Sequence, residues 1–379
     1  MTPVRRTLLK AALGVCTTPL ITSKSYSQSL AQSSSNSSSS LRTFTPSPGK
    51  WRKFEITTRV EINTPSTPTR VWLPVPSIES AWQTSMGNSF QSNGSTVLTS
   101  DGAQGIKMLF TEFGAGQVNP FVEVTSTVLT QSRKDLTGQV NTPVIHESID
   151  TLRYFTRSTE LLPTDGIVKK TALKITQGST TDDERVRAIY DWVVANAWRE
   201  PKVRGCGEGD IKLMLETGNL GGKCADINAL FVGLCRSMGI PARDLYGIRL
   251  VPSAFGYKEL SGNPESLKGA QHCRAEVYLN NRGWVAMDPA DVAKVMRQET
   301  PDWIKSPSHP VVKPVYQTLF GGWEGNWLAW NSGHDIKLPS SKGPILGFLM
   351  YPIAENTEGR FDSYSPDTFR YQIKAKELT

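Results

Sequence analysis

The chain is poor in the side chains that most often hold metals. Its 379 residues include five cysteines and four histidines, with no Cys-x-x-Cys and no closely paired histidines. No metal or other cofactor is therefore expected. Acids are missing altogether from residues 1–54, which carry eight bases: Arg5, Arg6, Lys10, Lys24, Arg42, Lys50, Arg52 and Lys53. The formal charge of +7 thus leaves about −1 for everything that follows. A nearly neutral body has no basic excess with which to displace counterions from phosphates, so nucleic acid is excluded as an expected partner. Past the leader, no apolar run reaches the roughly 18 residues of a membrane span, and the mature chain is not expected to cross a bilayer. What is present, 38% hydrophobic and 20% charged residues, is globular composition with length enough for two or three cores.

The basic start has its own reading. Arg5-Arg6-Thr7-Leu8-Leu9-Lys10 leads into an apolar stretch ending at Ile21, similar to a twin-arginine export signal. Ser25-Tyr26-Ser27 and Ser29-Leu30-Ala31 both suit cleavage, so residues 1–31 are read as a signal peptide and the protein as periplasmic or secreted. Cys16 follows Val15 rather than a small residue and is read as discarded with the leader. Residues 32–49 are dominated by serine and are expected to form a disordered linker.

From Trp51 the pattern becomes period-two, with Phe54, Ile56, Thr58, Val60 and Ile62 alternating with polar residues. Similar segments at 70–75, 106–113 and 121–130, separated by turn residues, predict a small β-sandwich over 50–145. Helical period follows: Ile167, Val168, Ala172 and Ile175 share a face, and Gly178 supplies a stop. Thr181-Asp182-Asp183-Glu184 forms a capping box ahead of Val186, Ile189, Tyr190, Val193 and Ala197. A domain over 146–299 is followed by a β-rich extension, 300–379, packed on the core and including strand-like 345–351 and 369–375.

The densest signal is Gly221-Gly222-Lys223-Cys224-Ala225-Asp226, followed by Ile227, Leu230, Phe231, Leu234 and Met238 on one helical face. Gly239 and Pro241 mark the end of that helix. Cys224 therefore stands at a helix start, where free N–H groups and the dipole favour thiolate. A base is needed, and His272 opens a strand whose Cys273, Ala275, Val277 and Leu279 alternate with Arg274, Glu276 and Tyr278. Asn280-Asn281-Arg282-Gly283 reads as a hairpin turn into Trp284–Asp288. A three-residue loop with a left-handed Gly283 sets His272, Glu276, Trp284 and Asp288 on one face, with Glu276 across from Asp288; a two-residue loop separates the faces of His272 and Asp288. In the first register a further slip is required before His272 meets Asp288.

At these residues the chain resembles the transglutaminase-like superfamily, whose core shares its architecture with papain-like cysteine peptidases. The resemblance rests on the Gly-x-Cys helix start with Asp226, the Gly239-Ile240-Pro241-Ala242-Arg243 segment, the His272 strand and Gly283-Trp284-Val285 ending at Asp288-Pro289, and covers about 165–292. It implies an α+β transglutaminase-like fold in which a Cys-bearing helix packs on an antiparallel sheet behind the sandwich. It implies Cys224 as nucleophile, His272 as general base and acid, Asp288 as orienter, and Trp198 as an aromatic near the oxyanion site. Cys273-Arg274 departs from the small residue and Trp that many relatives carry after the histidine.

The expected function is cysteine-dependent acyl transfer at peptide or protein amides, through a thioester resolved by water or amine, on substrates of the cell envelope. The alternative is a non-catalytic envelope-binding protein with a vestigial triad. Cys235 is read as a core thiol; Cys206 and Cys273 as free thiols, with a disulfide between them after export as the other possibility. His146, His309 and His334 show no partner pattern and are read as surface or satisfied structural histidines, and the tryptophans past residue 300 are assigned to packing.

Overall fold

Alternation of the kind seen at residues 54–62 builds a sheet with one inner face. In the computed structural model, which describes residues 42–135, 146–365 and 369–378, Arg52–Glu61 is a strand that buries Phe54, Ile56, Thr58 and Val60. The expected signal peptide and linker residues 32–41 lie outside the described residues. Arg52–Glu61 pairs antiparallel with Phe121–Thr130 on one side and with Arg370–Leu378 on the other. Gln83–Ser92 completes this four-stranded sheet at its edge.

A second sheet of five strands runs in the order Gly359–Arg360, Ile353–Asn356, Thr69–Pro74, Lys107–Phe113 and Ser95–Ser100. The C-terminal strands therefore join both N-terminal sheets instead of forming a layer of their own. Among the strands that were not expected, Gln83–Ser92 and Ser95–Ser100 are edge strands with largely polar, exposed side chains, so no apolar alternation announces them. Conversely, residues 345–351 are not a strand. They form a single bridge, Leu346 to Ile336, and turn Leu349, Met350 and Tyr351 inward.

The linker expectation is corrected from Arg42 onward. Arg42 pairs with Glu299 at 2.5 Å, and Phe44, only 2% exposed, packs against Phe255 and Tyr257. One buried aromatic contributes roughly 1.5–3 kcal/mol, and with the ion pair that offsets much of the ordering entropy of a short segment.

The remaining region is α+β. Helix Gly166–Ile175 ends before Gly178, whose φ is +87°, and helix Asp182–Asn196 carries the expected reciprocal cap between Thr181 and Glu184. Helix Cys224–Ser237 is buried at every position and packs on strand Gln271–Leu279, which is likewise buried throughout. That strand sits inside an antiparallel sheet ordered Gly283–Met287, Gln271–Leu279, Ala242–Arg249, Trp327–Asn331. On the sheet, Arg274 lies 5.1 and 4.7 Å from the ring centres of Trp323 and Trp327, and both tryptophans are buried. No helix among the described residues is long and apolar enough to cross a membrane.

Candidate active site

A helix buried from its first residue must satisfy its leading N–H groups within the protein. Cys224 is the first residue of its helix, and the N–H of Ala225 donates to the Cys206 carbonyl at 2.9 Å. Asp226 caps the entry. Its carboxylate accepts the N–H of Lys223 at 2.8 Å and those of Glu208 and Gly209 at 2.9 Å each. The loop can come this close because Gly207 has φ +88° and no Cβ, which would collide with that carboxylate. The Cys224 N–H has no acceptor among the described residues and remains a free donor beside its own thiol. At the other end, Gly239 is left-handed at φ +81° and the Ile240 N–H closes on the Cys235 carbonyl at 3.1 Å.

The hairpin decides where histidine and carboxylate meet. Leu279 pairs with Gly283 and Ala275 with Met287, so Asn280–Arg282 is a three-residue turn closed by Gly283 at φ +69°. His272 and Asp288 share a face, as the three-residue loop requires, but the register differs by two residues from the expected one. Glu276 stands across from Ala286, and one more step sets Asp288 beside Arg274. His272 is then the diagonal neighbour, with Nε2 2.8 Å from Asp288 Oδ2. The slip that the sequence demanded is this shift of pairing.

Several partners of this pair carry no motif. Asp291 Oδ2 lies 3.3 Å from His272 Nε2, and its Oδ1 lies 2.5 Å from the Arg249 guanidinium. Arg274 Nε is 3.4 Å from Asp288 Oδ2. Asn228, one turn beyond Cys224, donates to the Cys273 carbonyl at 2.8 Å and to Asp288 Oδ1 at 3.3 Å, and accepts the Ala290 N–H at 3.2 Å. It ties the cysteine helix to the carboxylate turn. The helical spacing of Asn228 from Cys224 and the Asp288-Pro289-Ala290-Asp291 cap pattern were the available signals for these residues.

With Nε2 facing two carboxylates, Nδ1 is the nitrogen of His272 left to serve the thiol. Burial and the Arg249 charge press the imidazolium down, but the charges of Asp291 and Asp288 and the Asp288 hydrogen bond outweigh them and lift His272 to about 9. Burial presses the Cys224 thiol up; hydrogen bonds from Cys206, Cys273 and His272 and the imidazolium charge overcome it, holding Cys224 well below the ordinary thiol value. The two shifts have opposite sign and separate main causes, the carboxylates at His272 and the neighbouring thiols with the imidazolium at Cys224, and both favour a thiolate beside an imidazolium in a dry site. Cys224 and His272 are each 3% exposed.

Other expected positions fall as follows. Trp198 packs its indole against Gly221, where a Cβ would come within 2.6 Å of the ring, and its N–H has no acceptor among the described residues. Cys206, Cys235 and Cys273 are buried free thiols; Tyr351 donates to Cys206 Sγ at 3.0 Å, and Cys206 and Cys273 both lie beside Cys224. His334, which shows no partner pattern along the chain, is a satisfied structural histidine: its Nε2 is 3.1 Å from Asp244 Oδ2 and 3.1 Å from the Tyr246 hydroxyl. A strand-borne aspartate gives no local pattern pointing to a histidine ninety residues away.

A thiol at a helix start, an imidazole from a neighbouring strand and a carboxylate at the strand's hairpin partner come together on an α+β frame. The family model of the transglutaminase-like superfamily matches residues 169–289. An uncharacterized protein of Haemophilus influenzae is 35% identical over 326 residues, 82% of this chain and 86% of that protein. Among solved structures, a Cytophaga hutchinsonii protein named provisionally as a cysteine protease shares the fold at TM-score 0.50 and 15% identity, covering 87% of this chain and 92% of that one. The chain belongs to the transglutaminase-like superfamily.

Proposed function

We propose that the protein is an exported cysteine-dependent acyl-transfer enzyme acting on amide bonds of peptides or proteins. The observation that carries the reading is the thiol of Cys224 beside an imidazole whose Nε2 rests 2.8 Å from Asp288. The thiolate sulfur attacks the amide carbonyl, and the electron pair moves to the carbonyl oxygen, for which the free Cys224 N–H and the Trp198 indole N–H are the proposed donors. As the tetrahedral adduct collapses, the C–N bond breaks and the His272 imidazolium gives its proton to the leaving amine. The resulting thioester is attacked by water or a second amine, His272 now accepting the proton and Cys224 regaining its thiolate. Export is proposed on the Arg5-Arg6 leader, and cell-envelope peptides are the substrate class it favours.

The test is intact-protein mass spectrometry after rapid quenching of mixtures of envelope peptides with and without added amine. Wild type is expected to gain the acyl mass of a peptide lacking its amine, and Cys224→Ala to gain none. A wild-type protein that binds such peptides yet forms neither adduct nor product would overturn the enzymatic reading in favour of a binding protein.

A further inference from the structure

Asp288 and Asp291 leave one rigid turn. Asp288 caps the helix Pro289–Gln298 by accepting the Asp291 N–H at 3.0 Å, and Pro289 presets the first helical residue. This cap and Asn228 occupy Oδ1 of Asp288, leaving Oδ2 for His272. Asp291 is divided in the same way, one oxygen on Arg249 at 2.5 Å and the other 3.3 Å from His272 Nε2. Each carboxylate thus has a guanidinium on hand, Arg274 for Asp288 and Arg249 for Asp291, and both pairs are buried. Two carboxylates and two guanidiniums cancel, so the charged imidazole and the charged thiol complete a balanced site.

We propose that Asp291, clamped by Arg249, is a second positioning residue for His272, sharing its Nε2–H with Asp288 and holding the ring in place as it gives up and regains its proton. This rests on the thiol–imidazole reading above. A ring that rocks away from Asp288 meets Asp291, so the orientation of Nδ1 toward Cys224 does not depend on one hydrogen bond. An ion pair serving structure alone has no need to present its free oxygen to the imidazole.

The experiment is the pH profile of Cys224 alkylation by iodoacetamide, which requires no substrate. Groups facing His272 are Asp288 and Asp291 from the following helix, Arg249 from the adjacent strand, Arg274 from its own strand and Cys224 from the opposing helix. In wild type the alkaline transition is expected near the His272 value of about 9. Asp291→Asn should lower it by about one to two pH units, the effect of losing an opposite charge at this range. Arg249→Gln, which removes an opposing cation, should raise it, and Asp291→Glu should leave it close to wild type. General disruption of the site cannot move two variants in opposite directions. Should Asp291→Asn fail to fold by circular dichroism, the rise in Arg249→Gln and the retention in Asp291→Glu decide the matter. A paired wild-type profile left unmoved in the variants overturns the role of Asp291 alone. A wild-type profile of an isolated thiol near about 8.5 overturns the thiol–imidazole reading itself.

Discussion

Replacing Asp226 by Asn tests whether the helix entry, rather than the thiol itself, sets the nucleophile's state. The carboxylate accepts three backbone N–H groups, from Lys223, Glu208 and Gly209. An asparagine of the same shape has one oxygen. If that oxygen keeps Glu208 and Gly209, the amide NH₂ faces the Lys223 N–H and the cap bond is lost, worth about 1–2 kcal/mol. Weakening the other two from charged to neutral acceptors adds about 1 kcal/mol each. Against this, burial and the Cys224 charge together push the Asp226 carboxyl up more than its N–H bonds pull it down, so deleting the charge removes a desolvation penalty. The two corrections oppose each other, and the expected net loss is that of the cap, about 1–2 kcal/mol, read as a lower urea midpoint at unchanged m-value. The thiol should respond with the reverse sign. The Asp226 charge lies close enough to Cys224 for each anion to raise the other's pKa, so Asp226→Asn should carry alkylation to lower pH. A variant that is less stable but more reactive at acid pH supports the reasoning. Unchanged stability, or a thiolate limb displaced upward, refutes it.

Glu276 is fully buried between Arg133 and Arg243, with Arg243 at 2.7 Å, and Glu276→Gln should destabilise by about 3–5 kcal/mol in urea unfolding because two cations are left without their anion. Burial opposes ionisation of Glu276, but Arg243 and Arg133 prevail and its pKa is depressed below 4.5. Its stabilisation is therefore full above the ordinary carboxyl value and lost as pH falls through the folded value, so Glu276→Gln should flatten the acid limb of the stability curve. Gly207→Ala adds a side chain at φ +88° that also strikes the Asp226 carboxylate; a loss of at least about 1–2 kcal/mol from backbone strain, with slower alkylation of Cys224, is expected by the same two assays. Phe44→Ala should lower stability by about 3 kcal/mol, and limited proteolysis should then cut ahead of Lys50, whereas an unaltered digestion pattern would show that the docked segment is not held by its aromatic anchor.

Much of this molecule is legible along the chain because helices and single strands are local. The Thr181 cap, the Gly178 and Gly239 stops and the alternation of Phe54 to Val60 each name their own conformation through side-chain spacing. The same is true of Cys224 at a helix start, since Gly-Gly before it and an apolar stripe after it leave little other choice. Pairing is a different matter. Arg370–Leu378 finds Arg52–Glu61 across more than three hundred residues, and polar edge strands such as Gln83–Ser92 have only their neighbours to define them.

In the site, sequence alone determined which residue types and which elements were available: a thiol at a helix N-terminus and a histidine and aspartate on two arms of a hairpin. Tertiary structure decided that the hairpin pairs two residues from the expected register, and that Asp291, Arg249, Asn228 and Arg274 close around the imidazole. The physical reason is range. Backbone propensity and caps act within a turn, whereas charge balance in a buried site is settled among groups that only the folded core brings within a few ångströms.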